Sequence, residues 1–202
     1  MTRLYYQGHS SFRIISEDDE VAYIDPYIDN GFDYPANLVL VTHEHFDHNN
    51  VDIVPKAPNC AVARASDMHP NGKYLTKQFG SFSVTAVPAE NKNHPVDKCV
   101  GYLIEVDGKR LYFAGDTSYT DYMSDVLAKT QIDYAFLPCD GVFNMDVKEA
   151  SRCAKTIGAA HTIPIHTSPT SSKEDCRFDM DVARAFEADG KIIIQPGEEV
   201  EL

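Results

Sequence analysis

No apolar run in this chain approaches the ~20 residues that a membrane-spanning helix requires. Its start, Met1-Thr2-Arg3-Leu4-Tyr5, carries no secretory apolar region either. No membrane association is expected. Cysteine is limited to positions 60, 99, 139, 153 and 176, an odd number that never forms a C-x-x-C pair. That pattern argues against a disulfide framework and suits reduced thiols, so the expectation is a cytoplasmic protein. Basic residues are also scarce. The chain has 18 Lys and Arg against 31 Asp and Glu, for a formal net charge of -13. Phosphate backbones are bound through Lys and Arg, so nucleic acid is not an expected partner. A small anionic substrate stays open, because a bound metal could attract it. The G-x-S-x-G pattern of a serine nucleophile is missing too: Gly8-His9-Ser10-Ser11-Phe12 does not supply it.

What the chain does contain is concentrated in one stretch. The β-branched apolar run Leu38-Val39-Leu40-Val41 reads as a buried strand, and Thr42-His43-Glu44-His45-Phe46-Asp47-His48 follows it directly. The pattern H-x-H-x-D-H places three imidazoles and a carboxylate on a loop at a strand's carboxyl end. Neutral imidazole nitrogen and carboxylate oxygen suit zinc or a similar divalent ion. Four donors this close are more than one ion readily uses, which points to two metals. At 202 residues and 43% hydrophobic composition, the chain has ample length for a core, and residues 1–202 are expected to form a single domain.

The remaining elements arrange themselves around that stretch. Strands are expected at residues 4–6, 11–15 and 21–24, with Asp25-Pro26 ending the third. Pro55 and Pro58 limit any helix after Asn49, and a short strand is expected at residues 60–63. Ser81-Phe82-Ser83-Val84-Thr85-Ala86-Val87 alternates with period two and is a strand. It leads into the polar loop that holds His94-Pro95. Asp107-Gly108 between two apolar runs signals a hairpin, whose second strand enters Gly115-Asp116-Thr117. A helix is expected from about Asp121 to Gln131. Residues 132–138 form a strand, and a helix capped by Asp146 runs to Gly158. Thr162-Ile163-Pro164-Ile165 then delivers His166. A last helix capped by Asp181 and a last strand at residues 191–195 complete the chain. His69, beside Pro70, has no partner spacing and is expected at the surface. His9 reads equally as a turn histidine bonded to backbone or as a metal ligand. Asp116 has a bland alternative as a helix cap, although Thr120 or Asp121 can do that job.

These motifs together resemble the metallo-β-lactamase-fold hydrolases, from Gly8-His9-Ser10 to Gln195-Pro196-Gly197. Within them the chain is similar to a branch of small metal-dependent hydrolases with Gly-His-Ser, His-Pro, Gly-Asp-Thr and Pro-x-His signatures. The resemblance implies an α/β (α+β) fold, a four-layered αββα sandwich of two mixed sheets flanked by helices. Composition alone supports only a layered fold containing both helices and strands. It also implies a first metal site at His43, His45 and His94, a second at Asp47, His48 and His166, and Asp116 bridging them. Asp25 would brace the metal loop from outside, with His9 near the floor. Asp47 would orient the attacking hydroxide or assist proton transfer.

The expected chemistry is hydrolysis by hydroxide formed on two divalent ions, zinc by ligand type and Mn2+ or Fe2+ by supply. Histidine at position 45 departs from the glutamate of the related di-iron oxygen reductases and favours hydrolysis. Aspartate at 116, not cysteine, disfavours antibiotic-lactam cleavage. The expected substrate is a small metabolite with an ester, lactone or related bond, with a lean toward lactones from the resembling branch. The competing readings are phosphodiester hydrolysis and a non-catalytic metal-binding or sensing protein. Tyr119, Tyr122 and residues 167–171 are candidates for substrate contact.

Overall fold

The computed structural model describes residues 1–28, 31–169 and 178–202. Its first five strands are β1 (Arg3–Gly8), β2 (Ser11–Ile15), β3 (Val21–Ile24), β4 (Ala36–Val41) and β5 (Lys56–Arg64). The next six are β6 (Thr76–Phe79), β7 (Phe82–Pro88), β8 (Val100–Val106), β9 (Lys109–Phe113), β10 (Tyr134–Pro138) and β11 (His161–Ile165). The last, β12 (Glu199–Glu201), returns to the first sheet, whose order is β12-β1-β2-β3-β4-β5, while the second runs β11-β10-β9-β8-β7-β6. Each sheet is mixed. Antiparallel pairs join β12 through β3 and β6 through β9, and parallel pairs join β3 through β5 and β9 through β11.

Side-chain alternation explains why the two sheets stack. Leu4, Tyr6, Phe12, Ile14, Leu38 and Leu40 point inward from the first sheet to meet Val84, Tyr102, Ile104, Phe113 and Phe136 from the second. The Phe113 and Phe136 rings stack at 4.2 Å and Phe12 packs edge-on against Phe136. Fully burying one such side chain contributes roughly 1.5–3 kcal/mol, so this central layer holds the sandwich together. Val39, between Leu38 and Leu40, points the other way and packs with Tyr23 and Val54. Burial on both faces is why residues 38–41 show an unbroken apolar run.

Among the described residues the α-helices are few: α1 (Ala65–Met68), α2 (Asp121–Asp125), α3 (Val147–Ile157) and α4 (Met180–Ala185). In α3 the Asp146 carboxylate accepts the Glu149 N–H, Gly158 stops the helix in the left-handed region, and the face carrying Ala150, Cys153, Ala154 and Ile157 is buried. That face packs with Tyr112 and Leu137, on the outer side of the second sheet, as do residues of α2 and α4. Among the described residues the outer side of the first sheet is covered more thinly, by Phe32 and a single 3-10 turn, Val51–Ile53. The result is the expected α+β sandwich with one slender outer layer.

Several local expectations are corrected. The strand expected at residues 60–63 is the end of the longer β5, which tolerates Pro58 because it lies on a sheet edge. Strand β6 was not anticipated. The helix expected to reach Gln131 breaks at Val126 and resumes as a 3-10 turn, Leu127–Lys129. Asp179, not Asp181, caps α4, its carboxylate accepting the N–H groups of Asp181 and Val182. Residues 191–195 pack Ile192 and Ile194 on the core but make only an isolated bridge, Thr162 to Lys191. The last strand is instead β12. Among the described residues no helix is long and apolar enough to cross a membrane.

Candidate metal centre

Every residue singled out for the site follows the carboxyl end of a strand. His9 follows β1, Asp25 follows β3, positions 43 to 48 follow β4, His94 lies on the loop after β7, Asp116 follows β9 and His166 follows β11. Seven of these side chains, His43, His45, Asp47, His48, His94, Asp116 and His166, converge at one end of the sandwich. Their ligand atoms, with His9 joining the last set, form three groups each within 4.8 Å: His43, His45 and His94; His43, His48 and Asp116; and His9, Asp47, His48 and His166. Asp116 sits between them. Its Oδ2 lies 3.3 Å from His94 Nε2 and 3.7 Å from His166 Nε2, and its Oδ1 lies 3.4 Å from His48 Nε2.

The backbone is strained where it delivers these groups. His9, Asp25 and His166 adopt positive φ angles of 57°, 46° and 45°. A non-glycine residue held there costs on the order of 1–3 kcal/mol, and such strain clusters at functional sites. Gly115 is required by space. A Cβ on it would lie 2.8 Å from the Val100 carbonyl oxygen and 3.2 Å from Thr42 Cβ, so only glycine lets the Asp116 turn approach the histidine loop.

A second ring of groups sets the orientation of the histidines. Asp25 accepts hydrogen bonds from the Thr42 N–H at 2.7 Å and the Thr42 hydroxyl at 2.6 Å. Its Oδ2 also lies 2.8 Å from His48 Nδ1. Thr42 Oγ lies 3.1 Å from His43 Nδ1, Asn91 Oδ1 lies 2.8 Å from His94 Nδ1, and Asp140 Oδ2 lies 3.2 Å from His166 Nδ1. For His43, His48 and His94 an acceptor at Nδ1 fixes the proton there and turns the Nε2 lone pair inward, whereas the approach of Asp140 to His166 is an ion-pair contact without an aligned hydrogen bond. His45 is the exception: its Nδ1 faces the centre, 3.2 Å from His94 Nε2.

The electrostatics follow from burial and from this crowding. Burial lowers His43 well below the usual imidazole range, and lowers His94 as well. Burial would lower His48 also, but Asp116 and Asp25 outweigh it and raise the ring to about 9. His166 is raised in the same way by Asp116 and Asp140. Burial would raise Asp116, yet the surrounding histidines hold it well below the carboxylate range. The His9 ring is lowered to about 4 by burial and by His166, so it is neutral and donates from Nε2 to Asp47 Oδ2 at 3.1 Å.

His43 Nε2, His48 Nε2 and Asp116 Oδ1 are buried without a hydrogen-bond partner. An unsatisfied buried polar atom costs roughly 1–3 kcal/mol, and three of them facing one another form a set of donors for a cation. The residues present therefore fit a bound metal.

His9 lies beside the site. Its ring does not bond to backbone; it points into the Asp47, His48 and His166 group, 3.6 Å from the His166 ring centroid. His69 is corrected: it is buried, not at the surface, and stacks flat on Tyr74 at 3.9 Å. Thr120 occupies the N-cap position of α2 without a side-chain bond, and Asp116 takes no part in that cap. Of the suggested substrate contacts, Thr167 is buried and accepts the Asp179 N–H, while positions 170 and 171 lie outside the described residues. Asp140 and Asn91 were missed. Asp140 had a usable signal, since it follows β10 as Asp25 follows β3.

Residues 3–166 match the model of the beta-lactamase superfamily domain, which sets the class. A UPF0173 metal-dependent hydrolase from Alkaliphilus metalliredigens is 31% identical, covering 87% of this chain and 93% of the relative. A solved structure from Parabacteroides distasonis, provisionally assigned as a metal-dependent hydrolase, is similar with a TM-score of 0.77 at 25% identity. It covers 96% of this chain and 91% of that one. A metallo hydrolase from Ignicoccus hospitalis shares the fold at a TM-score of 0.69 and 21% identity, covering 98% and 97%. The chain belongs to the UPF0173 metal-dependent hydrolases of the beta-lactamase superfamily. It is thus a metal-dependent hydrolase with a histidine and aspartate cluster able to bind metal.

Proposed function

We propose that the chain is a two-metal hydrolase, zinc-dependent by its nitrogen-rich donor set, that cleaves an ester, lactone or related bond in a small metabolite. The observation that carries this reading is the group of three orphaned, buried donor atoms at the meeting point of the three histidine sets. His43, His45 and His94 would hold the first ion, and Asp47, His48 and His166 the second, with Asp116 between them and His9 adjoining the second set. Divalent ions held there lower the pKa of water toward neutrality and polarise the substrate carbonyl.

The chain's own groups do the rest. Thr42, Asp25 and Asn91 orient His43, His48 and His94 through Nδ1, and the Asp140 carboxylate lies 3.2 Å from His166 Nδ1. Asp47 is the candidate catalytic residue: it reaches into the site as a carboxylate, its charge kept by His9 and His48 against its burial. In that state it can accept a proton at Oδ and orient the nucleophile. The neutral His9 imidazole fixes that carboxylate by donating from Nε2. No Lys or Arg lines the adjoining cavity among the described residues, which disfavours the phosphodiester reading.

Metal content by mass spectrometry, beside a panel of ester, lactone and phosphodiester substrates, tests the proposal. About two zinc ions per chain with ester or lactone turnover supports it. Turnover of bis-p-nitrophenyl phosphate alone would select the phosphodiesterase, and two ions with no turnover the sensor. Less than one ion after zinc is supplied would remove the site assignment.

A further inference from the structure

The site opens to solvent through a cavity of about 240 Å³ lined by His45, Asp47, Asp116 and His166 within and by Phe46 and Phe143 at its walls. Both phenylalanines are unusually open for their type, at 55% and 40% exposure. An exposed aromatic ring usually belongs to a loose surface segment, and neither of these does. Phe46 sits inside the H-x-H-x-D-H loop, between His45 and Asp47, and its ring meets Tyr27 edge-on at 6.0 Å.

Phe143 is held still more firmly. Its N–H donates to Asp140 Oδ1 at 2.6 Å, and its carbonyl accepts from Asn91 Nδ2 and Asn93 Nδ2, each at 3.1 Å. Both polar groups of its backbone are thus occupied by the loops that also carry His94 and face His166. Its ring is presented to solvent by a fixed frame. A second hollow, of about 250 Å³, lies on the other side of His45 and carries Glu44, Asp97 and Lys98, one negative charge in excess. The first hollow has no Lys or Arg among its described lining, the single Lys98 of the second is outnumbered by Glu44 and Asp97, and the chain as a whole carries -13.

We infer that Phe46 and Phe143 form an apolar clamp that selects substrates with an uncharged alkyl or aryl group beside the scissile carbonyl. The clamp deepens the ester and lactone reading above and rests on it for its turnover assay. Two aromatic walls flanking a narrow cavity bury apolar surface without demanding a shape, so affinity tracks substrate length until the cavity is filled. A fully buried methylene is worth about fourfold in binding, and one buried against only two walls about twofold.

The test uses the zinc-loaded full chain and p-nitrophenyl esters of increasing acyl length, with alkyl hydroxamates of the same lengths measured by calorimetry. The wild-type protein should gain about two- to fourfold in kcat/KM per methylene, mainly through KM, and hydroxamate affinity should rise in parallel. Phe46→Ala with Phe143→Ala should flatten both slopes while metal content stays at the wild-type level; Phe46→Leu should keep most of the slope. A flat wild-type series, or a slope that survives the double substitution, overturns the clamp and leaves the ester reading standing. Rising hydroxamate affinity with no ester turnover sustains the clamp and retires the ester reading.

Discussion

Replacing Asp140 by asparagine would separate two jobs that its carboxylate performs at once. Oδ1 accepts the N–H groups of Val142, Phe143 and Asn144 at 2.8, 2.6 and 3.3 Å, which shapes the loop after β10. Oδ2 accepts from Asn144 Nδ2 at 2.9 Å and faces His166 Nδ1. Asparagine keeps the first acceptor, so the loop should persist. It converts the second into an NH2 group that meets two other donors. Removing the charged outer partner of a metal-ligating histidine typically costs about 10–100-fold in affinity. The second, His166-containing site should therefore weaken by about 10–100-fold, while the His43, His45 and His94 site holds its affinity. Asp140 also raises the His166 pKa, so the substitution relieves proton competition and masks part of the loss near neutrality. Stepwise zinc titration against a chromophoric chelator at alkaline pH removes that offset. Equal weakening of both sites, or none, would refute the orienting role.

Three further outcomes are expected. His45→Ala should lose the first ion and activity together, whereas His69→Ala should keep the metal and lose only its stack on Tyr74. That stack is worth ~1 kcal/mol, or about 2–4 °C in Tm at this chain length; metal loss on His69→Ala would contradict the assignment. In chelator-treated protein, the His48 pKa raised from 6.5 to about 9 contributes stability that is full below pH 6.5 and lost as pH rises through 9. The histidines lowered by burial act with the opposite sign, but only below 6.5, so Tm should fall across that window and the fall should vanish with saturating zinc. A flat Tm would count against the His48, Asp25 and Asp116 coupling. Gly115→Ala should lower Tm by several degrees and weaken metal binding, since strain of ~1–3 kcal/mol accompanies a side chain in that conformation; wild-type behaviour would show that the turn can give way.

How much was legible in the sequence depended on whether the cause was local. The run at residues 38–41 and the alternation at residues 81–87 announce strands because their burial is written in consecutive side chains. The donors at positions 43 to 48 announce a site because four coincidences fall in six residues. Asp140 and Asn91 stayed silent because a histidine's outer partner is chosen by the fold: Asp140 meets a ring delivered by a different strand. His69 was misplaced for the same reason, since nothing in Asp67-Met68-His69-Pro70 shows that Tyr74 folds back over it. β12 is polar and short, and is a strand only because the edge of β1 offers it a ladder. Residues 191–195 have the composition of a strand but find a single bridge instead.

The place of β11 in its sheet has a consequence for how the two ions would exchange. His43, His45 and His94 ride on loops leaving β4 and β7, each of which has a full strand on both sides, whereas β11 pairs along its length with β10 and is met on its outer side, among the described residues, by the bridge from Thr162 to Lys191. A strand held on one side by a ladder and on the other by a single bridge has fewer backbone hydrogen bonds to break before it opens. If β11 opened first, His166 would leave with it and the second set would lose a donor, while the first set kept its frame. Of two bound ions, the first would then be the long-term resident and the second the lodger, replaced at the rate at which a single strand lets go. The metal found in the second position would follow the cell's supply from hour to hour, and the first would preserve a memory of what was present when the chain folded.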